Sequence, residues 1–420
     1  MISWPAPFIP AVPGSATTLR LYDLRTDSLR PLEPGPEVRT YACGVTPYDS
    51  THLGHAATYL VGDLLHRVLL DNGHTLNAVQ NVTDIDDPLL ERAERDGVQW
   101  EQLAEDAIAL FREDMTALAV LPPQHYLGVV ESMDTIAATV RTLVERGLTY
   151  TVSDATGGPD TYLDLVQVDG EPGDISGFDA DTRLALSAER GGDPDRRGKR
   201  GPLDPLLWRG ARDGEPSWDG GEGLGPGRPG WHIECTALAL DLLGAPFDVQ
   251  LGGLDLVFPH HEMSALQSTA LTGEHTYAEC YVYQALVAYE GEKMSKSKGN
   301  LVFVSALRDA GVDPMVVRAL LLAQHYRTAW EYTDDLLSAA TARVARWREA
   351  LSVNAAPDAT GTVADIRAAL AHDLDSPAAL RVVDAWADLT LAEDRDRSAD
   401  LIEAPGLVAR AMDALLGLRL

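Results

Sequence analysis

The sequence predicts an α/β protein built on a doubly wound parallel sheet, with an insertion in the path of that sheet and an α-helical bundle after it. Three observations carry the prediction. Residues 37–41 read as a strand, Ala42-Cys43-Gly44-Val45-Thr46-Pro47 as the turn closing it, and His52-Leu53-Gly54-His55 as the start of a helix that leads to a second strand at 76–82. A strand whose loop feeds a helix and then a parallel strand is the unit from which doubly wound sheets build nucleotide sites. Strand and helix alternate again from 231 to 287, and from 313 onward Ala- and Leu-rich segments recur at helical spacing.

The first helix carries Leu60, Leu64, Leu65, Val68 and Leu69 on one face and stops at Asn72-Gly73. Asp87-Pro88 reads as an N-cap followed by proline at the first helical position. Helical patterns run from there to Leu118 and again over 131–146, and 150–165 looks like a hairpin. Residues 169–229 are dense in Gly, Pro, Asp and Arg, which predicts long loops rather than core. A helix at 231–243, a strand at 248–251, a helix at 260–272 and a strand at 281–287 follow. Further helices are predicted at 314–325, 332–350, 363–371, 377–390 and 405–417. The expected organisation is a nucleotide-binding catalytic domain from 1–83 and 226–312, a loop-rich insertion of helices and small β structure over 84–225, and a helical domain over 313–420.

Composition narrows the partners. A chain of 420 residues predicts two or three modules. Its formal charge of −30 lacks the basic footprint that phosphate neutralisation needs, so no nucleic-acid partner is expected. The chain from 301 onward has twelve arginines and no lysine against eighteen acidic residues, which extends the same expectation to the helical end. The first thirteen residues lack a basic stretch followed by an apolar run, so no signal peptide is expected, and no run of eighteen apolar residues predicts a membrane span. Three cysteines cannot form an even disulfide framework, which points to the cytoplasm and to packing or metal binding as the use of the thiols. No heptad or apolar stripe stands out, and a monomer is expected.

Lysine usage marks one loop. The protein has four lysines, and three of them fall in Lys293-Met-Ser-Lys-Ser-Lys298, whereas arginine serves elsewhere. A compact ammonium on a flexible stem can follow and stabilise charge developing on a polyphosphate; the alternative is a solvated basic loop. His52 and His55 flank a glycine at a predicted helix N-terminus, where anions are favoured, or else they are surface residues. Cys43, Cys235 and His260 each lie beside a predicted strand end. Two thiolates and an imidazole suit zinc and leave a position open; packing cysteines are the alternative, and His261 is the rival ligand. Asn81-Val82-Thr83, Gly252-Gly253-Leu254-Asp255 and Trp231 fall at predicted strand ends or helix starts, where open sheets hold ligands. Glu189-Arg190-Gly191-Gly192-Asp193-Pro194 reads as an exposed turn.

In this order, these motifs resemble the class I aminoacyl-tRNA synthetases, whose fold has a Rossmann-like sheet: His52 to His55 matches their first signature and Lys293 to Ser297 their second. Tyr41-Ala-Cys-Gly44, Gly230-Trp-His-Ile-Glu-Cys235 and Phe258-Pro-His-His-Glu262 look like cysteinyl-tRNA synthetase, with Cys43, Cys235 and His260 on that family's zinc positions. Ser264 stands where its fourth ligand would be. Thr46 to Tyr59, Asn81 to Pro88 and Glu189 to Pro194 resemble more closely a paralogous family, the ligases of mycothiol biosynthesis that join cysteine to glucosaminyl-inositol. Leu254 departs from the serine usual there. The resemblance implies activation of L-cysteine by ATP with Mg²⁺, transfer of the cysteinyl group to the sugar amine, and one zinc ion per chain. It implies His52, His55, Lys293 and Lys296 as catalytic. It implies contacts to ATP or the adenylate from Cys43, Gly44, Val45, Thr46, Thr58, Asn81, Val82, Thr83, Trp231, Gly253, Leu254, Asp255, Val287 and Lys296. A cysteinyl-tRNA synthetase and a non-catalytic synthetase-like binding protein are the alternatives.

Overall fold

The computed structural model describes residues 1–15, 17–154, 157–294 and 300–420, with the backbone alone at Lys293. Among the described residues the central sheet has five strands, all parallel, in the spatial order Ala278–Gln284, Phe247–Gly253, Glu37–Ala42, Thr75–Val82, His125–Gly128. The chain therefore winds outward from Glu37–Ala42 in one direction, returns, and winds outward in the other. That reversal opens a crevice beyond the carboxyl ends of Glu37–Ala42 and Phe247–Gly253, the place where doubly wound folds hold ligands. Val38, Val79, Val249, Leu251 and Val282 are buried in the sheet, as covered parallel strands require.

The helix Leu53–Asp71 crosses between the first two strands and buries most of its circumference. A helix buried nearly all round must have neighbours on every side. Here it packs on the sheet and against the C-terminal helices Pro314–Leu322, Thr360–Ala371 and Ala404–Leu416. The helices Asp334–Leu351 and Ser376–Leu391 complete the bundle. Among the described residues, no helix is long and apolar enough to cross a membrane.

Two parts of the middle of the chain differ from the sequence-based expectation. His125–Gly128, inside the stretch expected to be an insertion, pairs in parallel with Thr75–Val82 and forms the edge of the central sheet. The inserted structure thus starts beyond that strand. Four residues are too short to show a period of two, which is why the sequence hides it. Residues 169–229, expected as loops, supply the helix Ala180–Glu189 and the strands Leu206–Gly210, Trp218–Asp219 and Pro226–Pro229. These strands join the expected hairpin of Thr149–Val152 with Asp160–Leu163 in a second, antiparallel sheet. Its glycines are there for close approach rather than for a turn. A Cβ on Gly210 would lie 2.5 Å from the backbone of Gly158, and one on Gly227 2.2 Å from the carbonyl of Arg209. Leu207 and Trp208 from this sheet are fully buried against the helix Met133–Glu145 and Ile233.

Candidate active site

The crevice at the sheet reversal is the mouth of one large cleft of about 1920 Å³. Gly44, Val45, Thr46, His52, His55, Thr58, Gly253, Asp255 and Val287 line it, and Cys43, Trp231 and His232 form part of its floor. The loop after Glu37–Ala42 owes its path to Asn81. The Asn81 amide oxygen accepts from Gly44 N at 2.9 Å and from the Tyr41 hydroxyl at 3.2 Å. Its amide nitrogen donates to Thr83 Oγ1 at 3.2 Å, and Thr83 N donates to Val45 O at 3.1 Å. A Cβ on Gly44 would fall 1.5 Å from the Asn81 carbonyl, so this crossing excludes every other residue. Asn81, Val82 and Thr83 are buried behind the loop and do not line the cleft. Leu254, 42% exposed, also lies off the cleft wall, between two residues that line it.

The helix Leu53–Asp71 points its N-terminus into the cleft. His52 is its N-cap, and its Nδ1 accepts from His55 N at 3.3 Å. The two imidazoles stack with centroids 3.7 Å apart. A Cβ on Gly54 would lie 2.9 Å from the His52 ring, so the glycine lets that ring fold over the first turn. The helix dipole then favours an anion beside the two imidazoles. Val287 opens the short strand Val287–Tyr289, a register later than the strand expected to end with it. Glu292–Lys293 pairs with that strand, which brings buried Met294 into the cleft wall. Lys296 and the Lys293 side chain lie outside the described residues.

Beneath the floor, ligand atoms of Cys43, Cys235 and His260 all fall within 4.8 Å of one another. Among the described residues this is the one such group of three or more metal-ligating side chains. The chemistry of the set fits a soft divalent ion. His260 Nε2 sits 3.3 Å from Cys235 Sγ, while its Nδ1 meets His232 Nδ1 at 3.0 Å. A partner on the second nitrogen is what orients a ligating imidazole. Burial holds His260 well below its ordinary pKa and brings His232 to about 4, so both rings are neutral at pH 7. The rival, His261, is held by Tyr283 at 2.8 Å and lies 3.1 Å from Cys43 Sγ. Ser264 bonds the His232 carbonyl at 3.4 Å instead of joining the group.

Sequence reasoning missed several groups around this site. His232 lies within Gly230 to Cys235, where nothing local marks it as the partner of His260. The turn at 189–194 is not a free surface: Arg190 Nη1 bonds the carbonyls of Asp255 and Phe258, and Gly191 to Asp193 line the cleft. Glu262 accepts backbone N–H groups of Gly173, Ile175 and Ser176 at 2.8, 2.9 and 3.1 Å, tying the inserted loops to the metal-side helix. No period or spacing announces contacts this long-range.

The family described as tRNA synthetases class I (C) catalytic domain matches residues 29–342. Among curated relatives, the L-cysteine:1D-myo-inositol 2-amino-2-deoxy-alpha-D-glucopyranoside ligases of Streptomyces scabiei and Streptomyces coelicolor are each 57% identical over 420 residues, covering all of both chains. That of Thermomonospora curvata is 52% identical over 425 residues. Among solved structures, Mycobacterium tuberculosis methionyl-tRNA synthetase in complex with methionyl-adenylate matches with a TM-score of 0.59 at 15% identity, over 90% of this chain and 89% of that one. The LeuRS of Agrobacterium radiobacter, in a ternary complex with tRNA and LeuAMS, matches with a TM-score of 0.64 at 12% identity, over 92% and 85%. At such identities the structures share the fold alone. The relatives go further: the chain belongs to the class I tRNA synthetase (C) catalytic-domain family and, within it, to the L-cysteine:1D-myo-inositol 2-amino-2-deoxy-alpha-D-glucopyranoside ligases.

Proposed function

We propose that the protein is an AMP-forming ligase that activates L-cysteine with ATP as cysteinyl-adenylate. It then transfers the cysteinyl group to the amine of 1D-myo-inositol 2-amino-2-deoxy-α-D-glucopyranoside, forming the amide of mycothiol biosynthesis. The observation that carries this reading is the 57% identity over the whole chain to ligases of that name. A carboxylate is a poor acyl donor, whereas the mixed anhydride has AMP as its leaving group. ATP enters with Mg²⁺, its phosphates toward the N-terminus of Leu53–Asp71. There His52 and His55 donate to the phosphate as charge shifts, and the ammonium groups of Lys293 and Lys296 offset that charge. Thr46, Thr58, Trp231, Gly253, Asp255 and Val287 surround the adenylate, while Asn81, Val82 and Thr83 hold the loop at Gly44 from behind. Zinc at Cys43, Cys235 and His260, one ion per chain, would give the substrate thiol a soft partner that the hydroxyl of serine cannot replace. We further propose a cytoplasmic monomer with no nucleic-acid partner, in keeping with its charge of −30.

A cysteinyl-tRNA synthetase is the second reading, favoured by the description of the matching family. Cysteine-dependent ATP–pyrophosphate exchange, followed by AMP release with either acceptor, separates the two. Exchange is expected, with AMP release driven by the pseudodisaccharide; release with tRNA alone would overturn the first reading. Lys296→Ala is expected to slow exchange roughly 10²- to 10³-fold, the scale of one lost charge-stabilising donor. Transfer from preformed adenylate should change less than about threefold, because the triphosphate has already gone. Equal slowing of both half-reactions would refute that division of labour.

A further inference from the structure

The cleft is larger than one adenylate needs. Small-molecule sites span about 300–1,000 Å³, and this one encloses about 1920 Å³. Its second arm runs between the helix Asp87–Asp96 and the antiparallel sheet, and its polar groups are not all satisfied. Arg209 bonds Asp87 at 3.0 Å and Glu215 at 2.9 Å, and Arg228 bonds the same two carboxylates. Arg228 is 5% exposed and lines the arm, yet among the described residues its Nε has no hydrogen-bond partner. From the helix Trp231–Leu242, Glu234 faces Asp86, Asp84 and Arg228; it is 2% exposed, and among the described residues its Oε2 has no partner either. A buried donor left open in the cleft wall, with an open acceptor on the helix behind that wall, suits a ligand rich in hydroxyls, since a hydroxyl both donates and accepts.

We propose that this arm is the acceptor subsite, taking an aminated polyol whose ammonium lies against the carboxyl group of Asp86 with Glu234 behind it, and that Asp86 removes the ammonium proton before attack. The proposal rests on the ligase reading. Asp86 caps the helix Asp87–Asp96 through Oδ1, which accepts from Asp87 N at 2.8 Å, and among the described residues its side chain makes no other hydrogen bond. Its loop is that of Thr83, which bonds Val45 beside the adenylate position. Burial raises its carboxyl to about 6 against the hydrogen bond from Asp87 N–H, with the charge of Asp87 adding to the rise and Arg228 opposing it. The charged and titratable groups facing it are Asp87 and Glu91 on its own helix, Arg228 on the sheet, Glu234 on the Trp231 helix and Tyr48 on the preceding loop. A carboxylate near 6 accepts a proton from an ammonium more readily than an ordinary aspartate does. The ammonium gives one proton to Asp86. The freed nitrogen pair forms the C–N bond to the cysteinyl carbonyl carbon, and the acyl C–O bond to the phosphate breaks, its electron pair leaving with AMP. The nitrogen's second proton passes to the departing phosphate.

Asp86→Asn keeps the cap, since asparagine caps as well as aspartate, and removes the base. The test compares cysteine-dependent exchange with single-turnover transfer from enzyme-bound cysteinyl-adenylate to glucosaminyl-inositol, between pH 6 and 9. Wild-type transfer is expected to rise through pH about 6. The variant's transfer should fall about 100-fold at pH 7, at least tenfold more than any fall in its exchange, and the deficit should narrow toward pH 9 as free amine accumulates. Glu234→Gln should raise the KM for the acceptor about tenfold and serves as the reading should Asp86→Asn fail to fold. A wild-type ratio of transfer to exchange in Asp86→Asn, or an unchanged acceptor KM in Glu234→Gln, would overturn the proposal. Absence of exchange in the unaltered protein would overturn the ligase reading itself.

Discussion

Cys235→Ala is expected to leave a folded protein that retains no metal and has lost at least about a thousandfold in cysteine-dependent exchange, or about 4 kcal/mol of transition-state stabilisation. Cys235 is one of three groups whose ligand atoms converge within 4.8 Å under the cleft floor. A site with three protein ligands and one open position cannot keep a zinc ion on two. His260 would remain, held by His232 and stacked on Trp231 with centroids 4.4 Å apart, so the floor itself should persist. Metal content by mass spectrometry and the rate of exchange are read on the same preparation. The selection of cysteine should disappear with the metal, because a pocket distinguishes thiol from hydroxyl strongly only through a group that one of them satisfies. A metal-free variant with full exchange and intact discrimination against serine would end the zinc reading.

How far the sequence discloses this arrangement depends on the kind of signal. The first strand, the helix that follows and the C-terminal helices are long and periodic, and they lie where the pattern puts them. Leu206–Gly210 and Pro226–Pro229 are hidden because the glycines that let those strands approach also look like loop residues. The approach of Cys43, Cys235 and His260 to one another has no local signature. It follows from the order of strands, which carries the loop after Glu37–Ala42 next to Phe247–Gly253 and so toward the Trp231 helix. Asn81 to Thr83 show the converse. Their place at a strand end was readable, but which face each side chain takes was not, and Asn81 turns out to build the loop rather than line the cleft. Burial decides that question, and burial depends on partners far away in the chain.

Asp63→Ala is expected to cost about 3–5 kcal/mol of stability and to lower the melting midpoint by on the order of 5–10 °C, although Asp63 touches no part of the cleft. It lies fully buried on the helix Leu53–Asp71, bonded by Arg67 Nε at 2.8 Å and paired with Arg318. Those guanidiniums satisfy carbonyls at the end of the last helix: Arg67 reaches Asp413 at 2.8 Å and Arg318 reaches Leu416 at 2.6 Å. Asp63 also accepts Leu121 N at 2.8 Å. Removing it leaves two buried cations without a counter-charge, which is why the loss exceeds that of any surface pair. Burial alone would raise the Asp63 carboxyl, but Arg318 and Arg67 outweigh it and hold the group below its ordinary value. Burial brings Arg318 down to about 10, so the triad is charged at pH 7. A folded pKa below the unfolded one gives stability that is present above about pH 4 and lost as pH falls through the folded value. The gap in stability between wild type and Asp63→Ala should therefore be full at pH 7 and shrink in acid. Because this helix presents His52 and His55 to the cleft, exchange per folded molecule at 25 °C should stay near wild type while thermal inactivation quickens. An Asp63→Ala protein that melts like wild type at pH 7 would show that the triad does not anchor the helix.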